Sequence, residues 1–156
     1  MKARLMPAQI APGAHKALSA VQEYVNACGL EHGLMELVKL RASQINGCAW
    51  CIDMHTKDAR AAGETEQRLY LLSAWREAPF YSARERAALA WTEAVTRIAT
   101  GEVPDDVFEA ARAEFSEKEL VDLNVAVIAI NSWNRMSVPF RVPAGDYKPP
   151  AHKAKR

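Results

Sequence analysis

The sequence predicts an all-α fold, and three features carry that prediction. Apolar residues recur at three- and four-residue spacing along the long segments. Two serine–glutamate pairs, Ser82 with Glu85 and Ser116 with Glu119, have the spacing of capping boxes. No segment alternates convincingly at period two, so neither a strand nor a βαβ unit is expected.

In order, residues 1–12 are expected to be irregular, with Pro7 and Pro12 as breakers. Ala14, Leu18, Val21, Val25 and Cys28 share a helical stripe, so a first helix is expected from about His15 to Cys28. Gly29 suits its left-handed stop, and Cys28 is expected to be a buried, inert thiol. A second helix, about Glu31 to Asn46, carries Leu34, Leu37, Val38, Arg41 and Ile45 and ends at the Asn46-Gly47 break. A third starts near Cys48 and ends at Gly63.

A fourth opens at Glu64 or Thr65 and ends near Glu77, before Pro79, with Leu69, Leu72 and Trp75 or Arg76 at core spacing. The Ser82 box opens a fifth, through Leu89, Trp91, Val95 and Ile98 to Gly101. Pro104-Asp105-Asp106 opens a short sixth, with acidic residues at its positive end. The Ser116 box precedes a long helix from Leu120 to about Arg135, nearly apolar all round from Val125 to Ile130 and therefore central or at a subunit interface. Asn131, Asn134 and Arg135 interrupt it and are expected to satisfy buried backbone groups or subunit contacts. Trp75, Trp91 and Trp133 read as packing residues. After Pro139 an extended arm is expected. The total is about seven helices.

At 156 residues the chain fits a single domain, 1–156, with irregular termini at about 1–12 and 137–156. A formal charge of +1 gives no argument for nucleic acid or an anionic membrane as partner. The basic residues Lys2, Arg4, His152, Lys153, Lys155 and Arg156 read as solvated tails. No signal peptide is read at the N-terminus, and the longest apolar run, Val125 to Ile130, is far short of the roughly 20 residues a membrane span needs. A reducing cytoplasm is the expected compartment. Three cysteines are too few for a disulfide scaffold, and in that compartment a C-x-x-C points to redox or metal chemistry.

The chemistry gathers between Glu36 and Gly63. Cys48 and Cys51 form the C-x-x-C pair, His55 follows four residues later, and Glu36 lies twelve before Cys48. On a helix, Cys48, Cys51 and His55 fall within an arc of roughly 60°, while Asp53, Lys57 and Arg60 lie opposite and are expected to face water. Both cysteines sit near a helix start, where free N–H groups favour a thiolate. His55 is one turn past Cys51, in reach of its proton. Glu36 would orient the histidine. In an antiparallel pairing, however, their side chains lean in opposite directions, so direct contact is marginal and a bridging water or a surface role is expected. Zinc would need Glu36 and His55 as further ligands. A thioredoxin-like module would need a preceding strand. A chance pair of core cysteines and a helical dithiol redox site complete the alternatives.

The stretch G-C-A-W-C-I-D-M-H with Glu36 upstream closely resembles the alkylhydroperoxidase D-like (AhpD-like) group of the carboxymuconolactone decarboxylase superfamily. The likeness continues more loosely through W-R-E-A-P-F-Y-S-A-R-E-R-A-A-L-A-W-T-E-A-V-T and from F-S-E-K-E-L to N-S-W-N-R. It implies an all-helical AhpD-like bundle and a homo-oligomer, trimer or hexamer. It implies a thiol-dependent peroxidase in antioxidant defence. The catalytic residues would be Glu36, Cys48, Cys51 and His55, with no metal and no cofactor beyond an external dithiol donor, protein or small molecule. Trp50 departs from members that carry a second histidine there. In that reading Cys51 attacks the peroxide, Cys48 condenses with the sulfenic acid, and the donor attacks Cys48, the cysteine nearer the open helix end. A redox-sensing dithiol protein and a lyase working through Glu36 and His55 are the alternative functions.

Overall fold

A computed structural model describes residues 2–150; the basic residues from His152 to Arg156 lie outside them. Its elements are α1 (Pro7–Ile10), α2 (Pro12–Ala27), α3 (His32–Asn46), α4 (Ala49–Ala61), α5 (Glu66–Leu71), a 3₁₀ turn (Leu72–Ala74), α6 (Ala83–Thr96), α7 (Asp105–Glu114) and α8 (Glu117–Ser137). Among the described residues every regular element is helical. Both capping boxes form as expected.

Several boundaries differ from the expectation. Pro7 and Pro12 open helices rather than break them, because the missing N–H of a first-position proline is an orphan anyway. The fourth helix gives way after Leu71 to the 3₁₀ turn. Arg86 holds the loop that follows, donating to the carbonyls of Arg76, Ala78 and Tyr81. α6 stops at Thr96, leaving Ile98 exposed. Arg4 is tied to the other end of the chain, its N–H on the Phe140 carbonyl at 2.9 Å and its guanidinium on the Pro139 carbonyl at 3.1 Å. Cys28 is half-buried, not buried.

α3 organises the packing: residues 34–40 are all buried, so it meets neighbours on every side. Leu34 and Val38 pack with Ala88, Phe115, Leu123 and Val127. Leu37 and Leu40 pack with Leu69, Leu72, Trp75 and Leu89. Met35 meets Val25, Ala126 and Ala129, and Ala42 meets Cys48, Cys51 and Ile130. Each fully buried leucine contributes about 2 kcal/mol by transfer from water. α8 covers α3 with Leu123, Ala126, Val127 and Ile130, and turns Val121 and Ile128 outward. Asn131 and Asn134 brace it, accepting from Asn46 and donating to Thr96 and Ser43. No helix of the described residues is long and apolar enough to cross a membrane.

The arm after Pro139, expected to be extended, turns through Arg141 and then runs without regular structure to residue 150. It lies on the outer face of α4, so Asp53 and Lys57 hold chain rather than face open water. The Lys57 ammonium donates to the carbonyls of Gly145 and Tyr147, and the Gly145 N–H donates to Asp53.

Candidate active site

The turn between α3 and α4 sets the sulfurs. Gly47 takes φ 65° as the left-handed cap of α3, a conformation that costs a residue with a side chain extra energy. Cys48 is then extended and caps α4, its Sγ accepting the N–H of Cys51 at 3.3 Å. A sulfur takes the place that serine or aspartate oxygens usually fill at a helix start. Cys48 and Cys51 are joined in a disulfide, with Cα atoms 5.3 Å apart, and each is 1% exposed.

His55 lies one turn further along α4 and is buried. Its Nδ1 meets Glu36 Oε2 at 2.8 Å. The contact expected to be marginal is therefore direct: the side chains bridge the two helices without a water. Glu36 Oε1 accepts from Lys39 Nζ at 2.9 Å. Burial pushes the Glu36 carboxyl up, but the hydrogen bond with His55 and the Lys39 ammonium outweigh it and hold it at about 2. Glu36 is thus an anion at neutral pH, with each oxygen engaged.

A cavity of about 670 Å³ opens beside this pair, between α2, α3, α4 and α8, with Pro150 of the arm at its edge. Cys51, His55, Glu36 and Lys39 line it, and Trp50, Met54, Ile130 and Trp133 supply apolar wall. Trp133 packs edge-on against His15, and Trp50 against Tyr147 of the arm. The Tyr147 hydroxyl donates to Asp58 at 2.8 Å; burial and then this bond push it up to about 12.

Residues 12–94 match the model of the carboxymuconolactone decarboxylase family. The chain belongs to that family. It is an AhpD-like member. The uncharacterised protein YdfG of Bacillus subtilis is 45% identical over 138 residues, 88% of this chain and 94% of its own. A crystal structure from Agrobacterium tumefaciens, of a protein of unknown function proposed to be the antioxidant defence protein AhpD, is 50% identical. It superposes with a TM-score of 0.91 over 94% of this chain and 100% of that one. An alkylhydroperoxidase AhpD core from Ralstonia eutropha, an uncharacterised peroxidase-related protein, shares the fold at a TM-score of 0.78 with 22% identity, over 89% of this chain and 74% of that one.

In this AhpD-like chain the four residues singled out by motif form two pairs, Cys48 with Cys51 and Glu36 with His55, and Cys51, Glu36 and His55 line one cavity. One detail of the sequence reading changes. Cys48 is not the more open sulfur despite its place at the helix end: both cysteines are 1% exposed, and Cys51 is the one that lines the cavity. Trp133 packs against the cysteine cluster as read and is in addition a wall of the cavity. Sequence reasoning missed Lys39, Asp58 and Tyr147. Lys39 had a signal, a cation three residues after Glu36 inside an apolar run. Asp58 and Tyr147 had none, because their contact depends on where the arm lies.

Atoms of Glu36, His55 and Asp58 lie within 4.8 Å of one another, a spacing that could hold a cation. The Lys39 ammonium already neutralises Glu36 there, and the two sulfurs that a zinc reading needs are bonded to each other. We assign the cluster no metal.

Proposed function

We propose that this AhpD-like protein reduces organic hydroperoxides by a dithiol–disulfide cycle of Cys48 and Cys51. The observation that carries the reading is that Cys51 opens onto the cavity holding the Glu36–His55 pair. With the disulfide reduced, His55 takes the Cys51 thiol proton, oriented by Glu36. The thiolate attacks the terminal peroxide oxygen. An S–O bond forms, the O–O bond breaks, and the leaving alkoxide takes back the proton as alcohol. Cys48 then attacks the sulfenic acid, releasing water and restoring the disulfide. An external dithiol, oxidised in turn, returns both cysteines to thiols. Its route runs through the cavity to Cys51, expelling Cys48, whose sulfur sits on a helix N–H suited to a thiolate. The apolar walls favour an alkyl or aryl hydroperoxide over hydrogen peroxide.

The same reading takes the chain as one domain in a reducing cytoplasm. It takes a trimer or hexamer as the assembly, for which the outward Val121 and Ile128 of α8 offer apolar surface. Dithiol-dependent consumption of cumene hydroperoxide tests the chemistry. Wild type turns over; His55→Ala slows peroxide-driven oxidation of the dithiol about 100-fold, the usual worth of a general base. A wild-type protein that forms its disulfide yet consumes no peroxide with protein or small-molecule dithiols would sink the enzyme reading in favour of a sensor. A lyase reading draws on the Glu36–His55 pair, which is complete without either sulfur. It requires an activity that survives serine at both cysteines.

A further inference from the structure

Lys39 is buried in α3, 7% exposed, one turn after Glu36, and it lines the cavity. Lysine is seldom found so deep without a partner. Its Nζ lies 2.9 Å from Glu36 Oε1, while His55 Nδ1 lies 2.8 Å from the other oxygen. One carboxylate is shared between an ammonium and an imidazole. Building on the dithiol reading above, we propose that Lys39 is a positioning residue of the active site: its ammonium keeps Glu36 anionic and so leaves His55 able to accept the Cys51 proton.

The argument is one of charge balance in a dry place. A buried carboxylate without a counter-charge recovers neutrality by taking up a proton, on itself or on the ring bonded to it. In the first case His55 loses the acceptor that orients it. In the second it is already protonated and cannot act as base. Lys39 removes the need for either. With the carboxylate balanced, Nδ1–H points at Oε2 and Nε2 is left as the acceptor.

The other groups around Glu36 and His55 do not substitute for it. On α3, His32 approaches Glu36 Oε1 only to 3.9 Å and is 58% exposed. On α4, Asp58 adds negative charge and is bonded to Tyr147 of the arm. From α2, His15 reaches the cavity but packs on Trp133. Beyond α4, Arg68 lines a second, smaller cavity that touches Glu36, but it is paired with Glu64 at 2.9 Å and Glu85 at 2.5 Å. α8 contributes Ile130, Trp133 and Ser137, none of them charged.

The test is alkylation of the reduced protein by iodoacetamide against pH, with adducts assigned to Cys51 by peptide mass. It compares wild type, Lys39→Met and Lys39→Arg, with near-UV circular dichroism as the check of folding. Deleting a nearby cation makes neighbouring protons harder to remove, so the acid limb of the Lys39→Met profile rises by about one pH unit or more. Lys39→Arg, which keeps the charge, restores the wild-type profile. A Lys39→Met profile that superposes on wild type in a natively folded protein overturns the proposal, and so does a Lys39→Arg profile shifted as far as Lys39→Met. Should Lys39→Met fail to fold, the nitrogen-15 spectrum of histidine-labelled wild type near neutral pH decides. His55, assigned by its loss in His55→Gln, as the Nδ1-protonated neutral ring upholds the proposal; a doubly protonated ring overturns it. Peroxide consumption is scored apart: a shifted alkylation profile in a protein that consumes no peroxide leaves Lys39 in its role and overturns the peroxidase reading alone.

Discussion

Cys51→Ser should abolish dithiol-dependent peroxide consumption and form no sulfenic acid, whereas Cys48→Ser should consume one equivalent and stop with the sulfenic acid on Cys51. The asymmetry follows from position. Cys51 shares the cavity wall with His55, one helical turn away, so it has both an approach for the peroxide and a base in reach. Cys48 is as buried as Cys51 but is not among the residues that line that cavity. It reaches the other sulfur, as the disulfide records, and so can resolve the oxidised thiol but cannot meet the oxidant. The helix end works in the opposite sense, since the Cys51 N–H on Cys48 Sγ makes Cys48 the better-stabilised thiolate. We expect access to prevail over thiolate stability, because a thiolate that no peroxide can reach does not react. Dimedone trapping followed by peptide mass reads the outcome. A dimedone adduct found on Cys48 in Cys51→Ser, with none on Cys51 in Cys48→Ser, would reverse the assignment.

What the sequence revealed and what it hid divide by distance along the chain. The two capping boxes, the Gly47 break and the inward arc of Cys51 and His55 depend on neighbours within about one turn, where helix geometry fixes the answer. Glu36 and His55 are 19 residues apart on different helices. An ideal hairpin leans them apart, and only the actual tilt and register of α3 and α4 bring Oε2 to Nδ1. Prolines were ambiguous for a different reason: the same residue ends one helix and begins the next, and Pro12 begins one because an apolar stripe follows it. Ile98 kept the period of α6 without its burial, because the chain turns out after Thr96. Lys39 and Arg41 sit in the most buried helix and look like misplaced surface residues. Their partners, Glu36 beneath one and Glu93 52 residues beyond the other, make their burial affordable.

Glu93 is where the second large effect is expected: Glu93→Ala destabilises the fold by about 3 kcal/mol, the cost of removing one partner from a buried ion pair. The carboxylate is 5% exposed. Oε1 accepts from Arg41 Nε at 2.7 Å and Trp75 Nε1 at 2.9 Å, and Oε2 accepts from Arg76 at 2.5 Å. It joins α3, α6 and the loop after the 3₁₀ turn at one point. Alanine strands the mostly buried Arg41 guanidinium and the Trp75 indole N–H, and for a chain of this size the melting temperature falls by about 8 °C. Burial pushes the Glu93 carboxyl up, but Trp75, Arg76 and Arg41 hold it at about 2, below its ordinary value of 4.5. A carboxyl lowered in the folded state binds its proton first in the unfolded chain. Its contribution is therefore whole above about pH 4.5 and disappears as pH falls toward 2. Glu93→Gln should accordingly melt well below wild type at pH 7, and the gap should narrow as both are titrated toward about pH 3. A gap of constant size would mean that Glu93 acts through its shape and not its charge. None of these cluster residues lines the cavity of Cys51 and His55, so at temperatures where Glu93→Gln is folded its Cys51 alkylation profile should match wild type. That would separate the charge that holds α3 in place from the charge that prepares His55.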